Sequence, residues 1–159
     1  MDWASLLKLA HVGLAFAFVA GLIGRGVLLQ RAERADDLAE ASLLAEAAAP
    51  FERTVILRSI LVLPSGLLTA WAQGYPWLGI TTGWMLASLV IYFVLLALVP
   101  TIFLPRGRRF EAAMANAQRH GIMTAELRGA IADPAVRLAR NAEVLGIGVI
   151  VALMVLKPF

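Results

Sequence analysis

Between Leu78 and Leu104 the chain carries no charged residue at all. A helix needs ~20 mostly apolar residues to cross the hydrocarbon core of a bilayer, and this run exceeds that. In water it would have to be covered on every side, and a chain of 159 residues has little other material to cover it with. Composition leans the same way. Hydrophobic residues make up 60% of the chain and charged residues 16%, with a mean hydropathy of +0.80. Soluble domains average ~45–50% and ~25%. The chain is therefore expected to be an integral membrane protein. Having no cysteine, it can form no disulfide, no thiolate metal site and no thioether-attached haem.

Three further stretches have span character. The first covers residues 4–29, with Lys8, His11 and Arg25 as its titratable members; the second covers 55–72, with Pro64-Ser65-Gly66 in its middle. With the third at 78–104, the fourth is counted from Ala135 to Lys157, although its uninterrupted apolar run is only Val144 to Leu156. Asp133 is a fitting N-cap for it, and Pro134 stands where a first helical turn tolerates proline. The expected fold is all-α, a single-domain transmembrane four-helix bundle.

Basic residues give the orientation. Arg25, Arg31, Arg34, Arg53 and Arg58 flank or occupy the first connection. Arg106, Arg108, Arg109, Arg119, Arg128, Arg137 and Arg140 do the same for the connection between spans three and four. Of the 14 basic residues, only Lys8 and Lys157 fall at the other end. The positive-inside rule places both long connections in the cytoplasm and both termini outside. Trp3, Trp71, Tyr75, Trp77 and Trp84 all map to the opposite, outer interface, as an aromatic belt would. The first span is too long for the apolar core of a cleavable signal peptide, and no basic cluster precedes it. Arginines held at an anionic inner leaflet explain the sequence pI near 10.0. Nucleic acid is not expected as a partner, because no aromatic-basic interleaving supports it.

The connections read as helical. Gln30 to Ala49 contains no Gly or Pro and is dense in good helix formers, so span one is expected to continue as helix until Pro50. Pro105-Arg106-Gly107-Arg108-Arg109 opens the second connection. A short helix is expected from Phe110 to His120, stopped by Gly121, and another from Thr124 to Asp133. Gln73-Gly74-Tyr75-Pro76-Trp77 reads as a tight turn that makes spans two and three antiparallel neighbours. Pro64 and Pro100 are expected to bend their spans.

Few residues offer chemistry. Lys8, His11, Ala15, Phe18, Leu22 and Arg25 recur at spacings of three and four, forming one stripe on span one. Ionisable groups at membrane depth face the bundle interior or a wet cavity. Gly13, Gly21, Gly24 and Gly26 allow a neighbouring helix to approach closely. His11 admits two readings: a ligand for haem iron or copper, or a structural histidine bonded to the next helix. Since His120 lies in a cytoplasmic connection, a bis-histidine haem within one chain is excluded. Met85 and Met154, in the outer halves of their spans, are candidates to join His11 around Cu(I) or a haem, or are packing filler. Arg25 and Arg58 stand at the inner edge of adjacent spans. They are read as interface anchors, as partners of Glu46 or Glu52, or as a clamp on a lipid phosphate. Arg106, Arg108 and Arg109 add further contacts to lipid or other anions. No phosphate loop, nucleophile-base set or pair of membrane carboxylates is found.

Taken in order, Leu9-Ala10-His11-Val12, Pro64-Ser65-Gly66-Leu67, Trp84, Leu104-Pro105-Arg106, Ala125-Glu126-Leu127-Arg128, Asp133-Pro134-Ala135 and Met154-Val155-Leu156-Lys157-Pro158 carry a resemblance. The chain resembles a bacterial family of predicted small four-helix integral membrane proteins of unknown function. More distantly, a histidine early in the first span is similar to that of copper-resistance D-like proteins and J-type protoporphyrinogen oxidases. That likeness implies a ligand role for His11 alone. The expectation is thus a bacterial inner-membrane protein, a non-catalytic binding or accessory subunit. Its partners are the bilayer, anionic phospholipids, and other membrane proteins or its own copies. The alternatives are a membrane oxidoreductase carrying haem b on His11, and a periplasm-side copper-handling protein.

Overall fold

The computed structural model describes residues 2–158, and they form helices joined by short turns, with no strand. α1 (Trp3–Ala32) opens on Asp2, whose carboxylate accepts from the Ser5 amide at 2.9 Å. α2 (Leu38–Ala72) opens on Asp37, which accepts from the Glu40 amide at 2.8 Å. The chain therefore reverses at Glu33–Asp37 and not at Pro50. The cap explains the correction: an aspartate carboxylate can take the otherwise unpaired amides of a new helix without help from Gly or Pro. Pro50 and Pro64 both lie inside α2, and neither ends it.

A second correction concerns the end of the third span. α3 (Gly83–Leu98) passes through one widened π-helical turn, Val99–Phe103, into α4 (Leu104–His120). Pro100 cannot donate a backbone hydrogen bond, and the wide turn accommodates it without breaking the helix. Arg106, Arg108 and Arg109 consequently sit on the first turns of α4 and not on a loop. The later signals read as expected. Gly121 ends α4 at φ +67°, Thr124 caps α5 (Ala125–Ile131), and Asp133 caps α6 (Pro134–Leu156). Four stretches of helix are long and apolar enough to span a membrane: 3–32, 38–72, 83–120 and 125–156.

Glycines set the pairing. α1 lies closest to α2, where Gly21 faces Val55 and Thr54, Gly24 faces the Phe51 ring, and Gly66 faces the His11 ring. α3 lies closest to α6, where Leu95 seats against Gly146. The turn after α2 does not make α2 and α3 close neighbours, as the sequence suggested. Past Tyr75 the chain adds a 3-10 turn, Pro76–Gly79, with Trp77 and Leu78 in the left-handed region. This longer link carries α3 sideways onto α6. α2 and α3 still touch, through Trp84 against Ala70 and through the Tyr92 hydroxyl donating to the Ser59 carbonyl at 2.7 Å. A gap between them is left over, and it forms the cavity described below.

Candidate functional site

The stripe on α1 faces inward as its spacing requires. Phe18, Leu22 and Arg25 are buried, His11 and Ala15 half-buried, and Lys8 exposed at the end. Of the four glycines on α1, Gly21 and Gly24 make the close approach, whereas Gly13 and Gly26 have open space beside them.

His11 meets α2. Its Nδ1 lies 3.0 Å from Ser65 Oγ, and that hydroxyl also lies 2.9 Å from the Val62 carbonyl. A hydroxyl has one hydrogen to give: with it on the Val62 carbonyl, His11 donates from Nδ1 and keeps the Nε2 lone pair, and with it on His11, Nδ1 is the acceptor. Thr69, one turn further along α2, ties back to α1 by donating to the Leu7 carbonyl at 3.2 Å. Met85 and Met154 come together in a different apolar cluster, with Ala70, Trp84, Tyr75 and Leu153. Among the described residues no three His, Asp or Glu side chains are grouped to hold a metal ion.

The arginines divide into distinct environments. Arg25, only 8% exposed, donates from Nη2 to Glu143 Oε2 on α6 at 2.5 Å, and its guanidinium carbon lies 5.5 Å from the centre of the Phe103 ring. Neither Glu46 nor Glu52 is its partner. Two turns along α1, Glu33 accepts from Arg140 of α6 at 2.7 Å. Arg140 and Glu143 stand three apart on α6 and so share a face. α1 and α6 are thus joined by two pairs of opposite sense, Arg to Glu and Glu to Arg. A third pair, Arg106 with Asp133 at 2.8 Å, ties the start of α4 to the cap of α6. Arg58 reaches the Ala17 carbonyl on α1 at 3.4 Å, while Arg108 and Arg109 are exposed.

Glu143, Glu33 and Arg140 carry this arrangement, and sequence reading did not single them out. The signal was available: residues of opposite charge, each at the border of an apolar segment and at helical spacing from one another.

Beside the Arg25–Glu143 pair opens a cavity of about 280 Å³. Phe18, Val55, Leu95, Phe103 and Ile147 supply its apolar wall, and Arg25, Glu52, Arg108, Glu111 and Glu143 its polar end. Ile56, Leu96 and Leu104 stand exposed at its rim. The pocket therefore has a greasy wall, a charged end and a side opening between α2 and α3. Arg25 Nε is buried there without a hydrogen-bond partner.

Comparison with known proteins gives one positive finding. A family model described as predicted integral membrane protein (DUF2269) matches residues 5–158. No curated protein and no solved structure matches the chain.

Proposed function

We propose that this chain, which belongs to that family of predicted integral membrane proteins, is a non-catalytic subunit of a larger membrane assembly. The observation that carries the reading is the contrast between how its polar and apolar span residues are used. His11, Thr69, Tyr92 and Arg25 each bond to another helix of the same chain. α3, by contrast, leaves its apolar flank uncovered: only 6% of its most apolar window is buried, against 17–22% for the other three spans. Val90, Phe93 and Val94 project from that flank. A photo-crosslinking residue at Phe93 should yield a discrete protein adduct in cells. Adducts with lipid alone, together with purification in mild detergent as a lone monomer, would remove the subunit role.

The proposed setting is the bacterial inner membrane with both termini outside the cytoplasm. Accessibility tags within residues 35–49 and 116–124 should report cytoplasm, and tags at the two ends should report the outside. A cytoplasmic C-terminus would show that α6 does not cross.

A second reading rests on the bond between His11 and Ser65. In the tautomer protonated at Nδ1, Nε2 is free to ligate haem iron or copper, and the bond from Nδ1 to Ser65 would fix the ring as ligand histidines require. Under this reading the chain is a haem b-linked oxidoreductase or a copper-handling protein in which His11 acts without Met85 and Met154, since these lie in a separate cluster. A Soret band in the purified protein that disappears in His11→Ala would establish the haem form. Metal analysis without copper after growth in copper-rich medium would dismiss the other.

A further inference from the structure

We propose that the side-opening cavity between α2 and α3 binds a phospholipid whose head group carries both a phosphate and a primary ammonium, that is, a phosphoethanolamine head. This goes beyond the subunit role and does not depend on it.

The inference starts from the unpaired donor. The Arg25 side chain is more than nine-tenths buried, and its Nη2 is committed to Glu143, yet its Nε–H has no acceptor. A buried donor left unmade costs free energy, and Arg25 lines the cavity, so a small shift of its side chain that brought Nε–H to an oxygen entering the cavity would be favoured. Arg108 lines the same end and has no ion-pair partner among the described residues. Two guanidinium groups around one small space suit a phosphate, which accepts from both.

A purely anionic head group fails on the remaining charges. With Arg25 and Glu143 set against each other, Arg108 faces two carboxylates, Glu52 and Glu111. With one excess carboxylate already at this end, a negative head group that brings no positive companion would be repelled. A simple cationic amphiphile fails in the opposite way, since it offers nothing to the Arg25 Nε–H. A head group bearing both signs satisfies donors and acceptors together. A primary ammonium carries N–H donors for the carboxylates, and a trimethylammonium does not.

Size and shape fix the lipid rather than the free head group. The cavity is near the lower edge of ordinary ligand pockets, ~300 Å³, which suits a head group and the start of one chain. The apolar wall of Phe18, Val55 and Leu95 and the exposed rim of Ile56 and Leu96 give that chain a path out between α2 and α3.

The test uses the full chain in detergent, titrated with phosphatidylethanolamine, phosphatidylcholine, phosphatidylglycerol and free phosphoethanolamine, and read by thermal unfolding and native mass spectrometry. Phosphatidylethanolamine should bind about tenfold more tightly than phosphatidylcholine, the factor expected of one charge-assisted hydrogen bond. Free phosphoethanolamine should not compete. In a Glu52→Gln, Glu111→Gln double variant the preference should fall to near parity. Its unfolding temperature without lipid should stay unchanged, because both residues are exposed. Leu96→Trp, which narrows the mouth, should weaken binding of the preferred lipid. Equal response to all three lipids, a preference for phosphatidylglycerol, a preference unaltered in the double variant, or competition by the free head group would each overturn the proposal.

Discussion

At one end of the bundle the helices are held by rings. Trp3 meets Trp71 edge-to-face at 5.4 Å, Tyr75 meets Trp84 at 6.0 Å, and Lys157 lies over both Tyr75 and Trp84. At the other end they are held by charge: Arg25 with Glu143, Arg140 with Glu33 and Arg106 with Asp133. An aromatic contact trimmed at one ring leaves no buried charge behind. A buried ion pair behaves otherwise, because removing one member strands the other in an apolar setting. The comparison teaches that the two ends should differ sharply in tolerance to substitution. It also shows that the arginines at this end are not interchangeable, since some are internal struts and others are exposed.

The largest effect is expected from Glu143→Ala. Stranding Arg25 should cost about 3–5 kcal/mol, read as a large drop in unfolding temperature in detergent. Survival of the variant at the parent temperature would erase the contrast between the ends.

Next comes the pair of conservative changes Arg25→Lys and Arg58→Lys. The planar guanidinium of Arg25 serves both Glu143 and Phe103, which an ammonium cannot reproduce, so about 1.5–3 kcal/mol should be lost with that charge-assisted bond. Arg58, with one long contact to the Ala17 carbonyl, should change by less than about 0.5 kcal/mol. Equal losses in the two variants would show that the arginines act alike.

Gly24→Leu should cost about 1–3 kcal/mol by overpacking against the Phe51 ring. Gly26→Ala, with open space beside it, should be neutral or gain up to about 1 kcal/mol in helix propensity. Chemical denaturation of the two variants side by side separates packing from propensity.

The smallest effect belongs to the aromatic end. Lys157→Ala should cost about 0.5–1 kcal/mol through the loss of its contacts with the Tyr75 and Trp84 rings, detectable as a slight shift in melting temperature. A loss comparable with that of Glu143→Ala would mean that the aromatic end is no more tolerant than the charged one.

The spans, their number and the caps at Thr124 and Asp133 were legible because each depends on local pattern: hydropathy over a window, or a side chain beside the amides it serves. The helix reversal at 33–37 was not, since Asp37 as a cap looks the same as Asp37 on a solvated helical face. The π turn at Pro100 was missed because proline in sequence reads as a bend or a stop, while the fate of its neighbours' carbonyls depends on tertiary packing. The partner of Arg25 was hidden for a different reason. Glu143 lies 118 residues away, just before the apolar run that starts at Val144, and hydropathy alone does not say which face of the helix it takes. His11 stood out as the lone histidine in a span, but its bond to Ser65 needed the register of α1 against α2, which Gly21, Gly24 and Gly66 set together.

The account rests on α1 and α6 being tied by ion pairs within the chain, and reversal of one pair tests this most directly. Arg25→Glu and Glu143→Arg each place like charges opposite one another and should lower the unfolding temperature steeply. The double variant restores opposite charges at the same site and should regain most of the loss, the shortfall reflecting the contact with Phe103. A double variant no more stable than the worse single one would contradict the account, because it would mean that the two side chains do not meet.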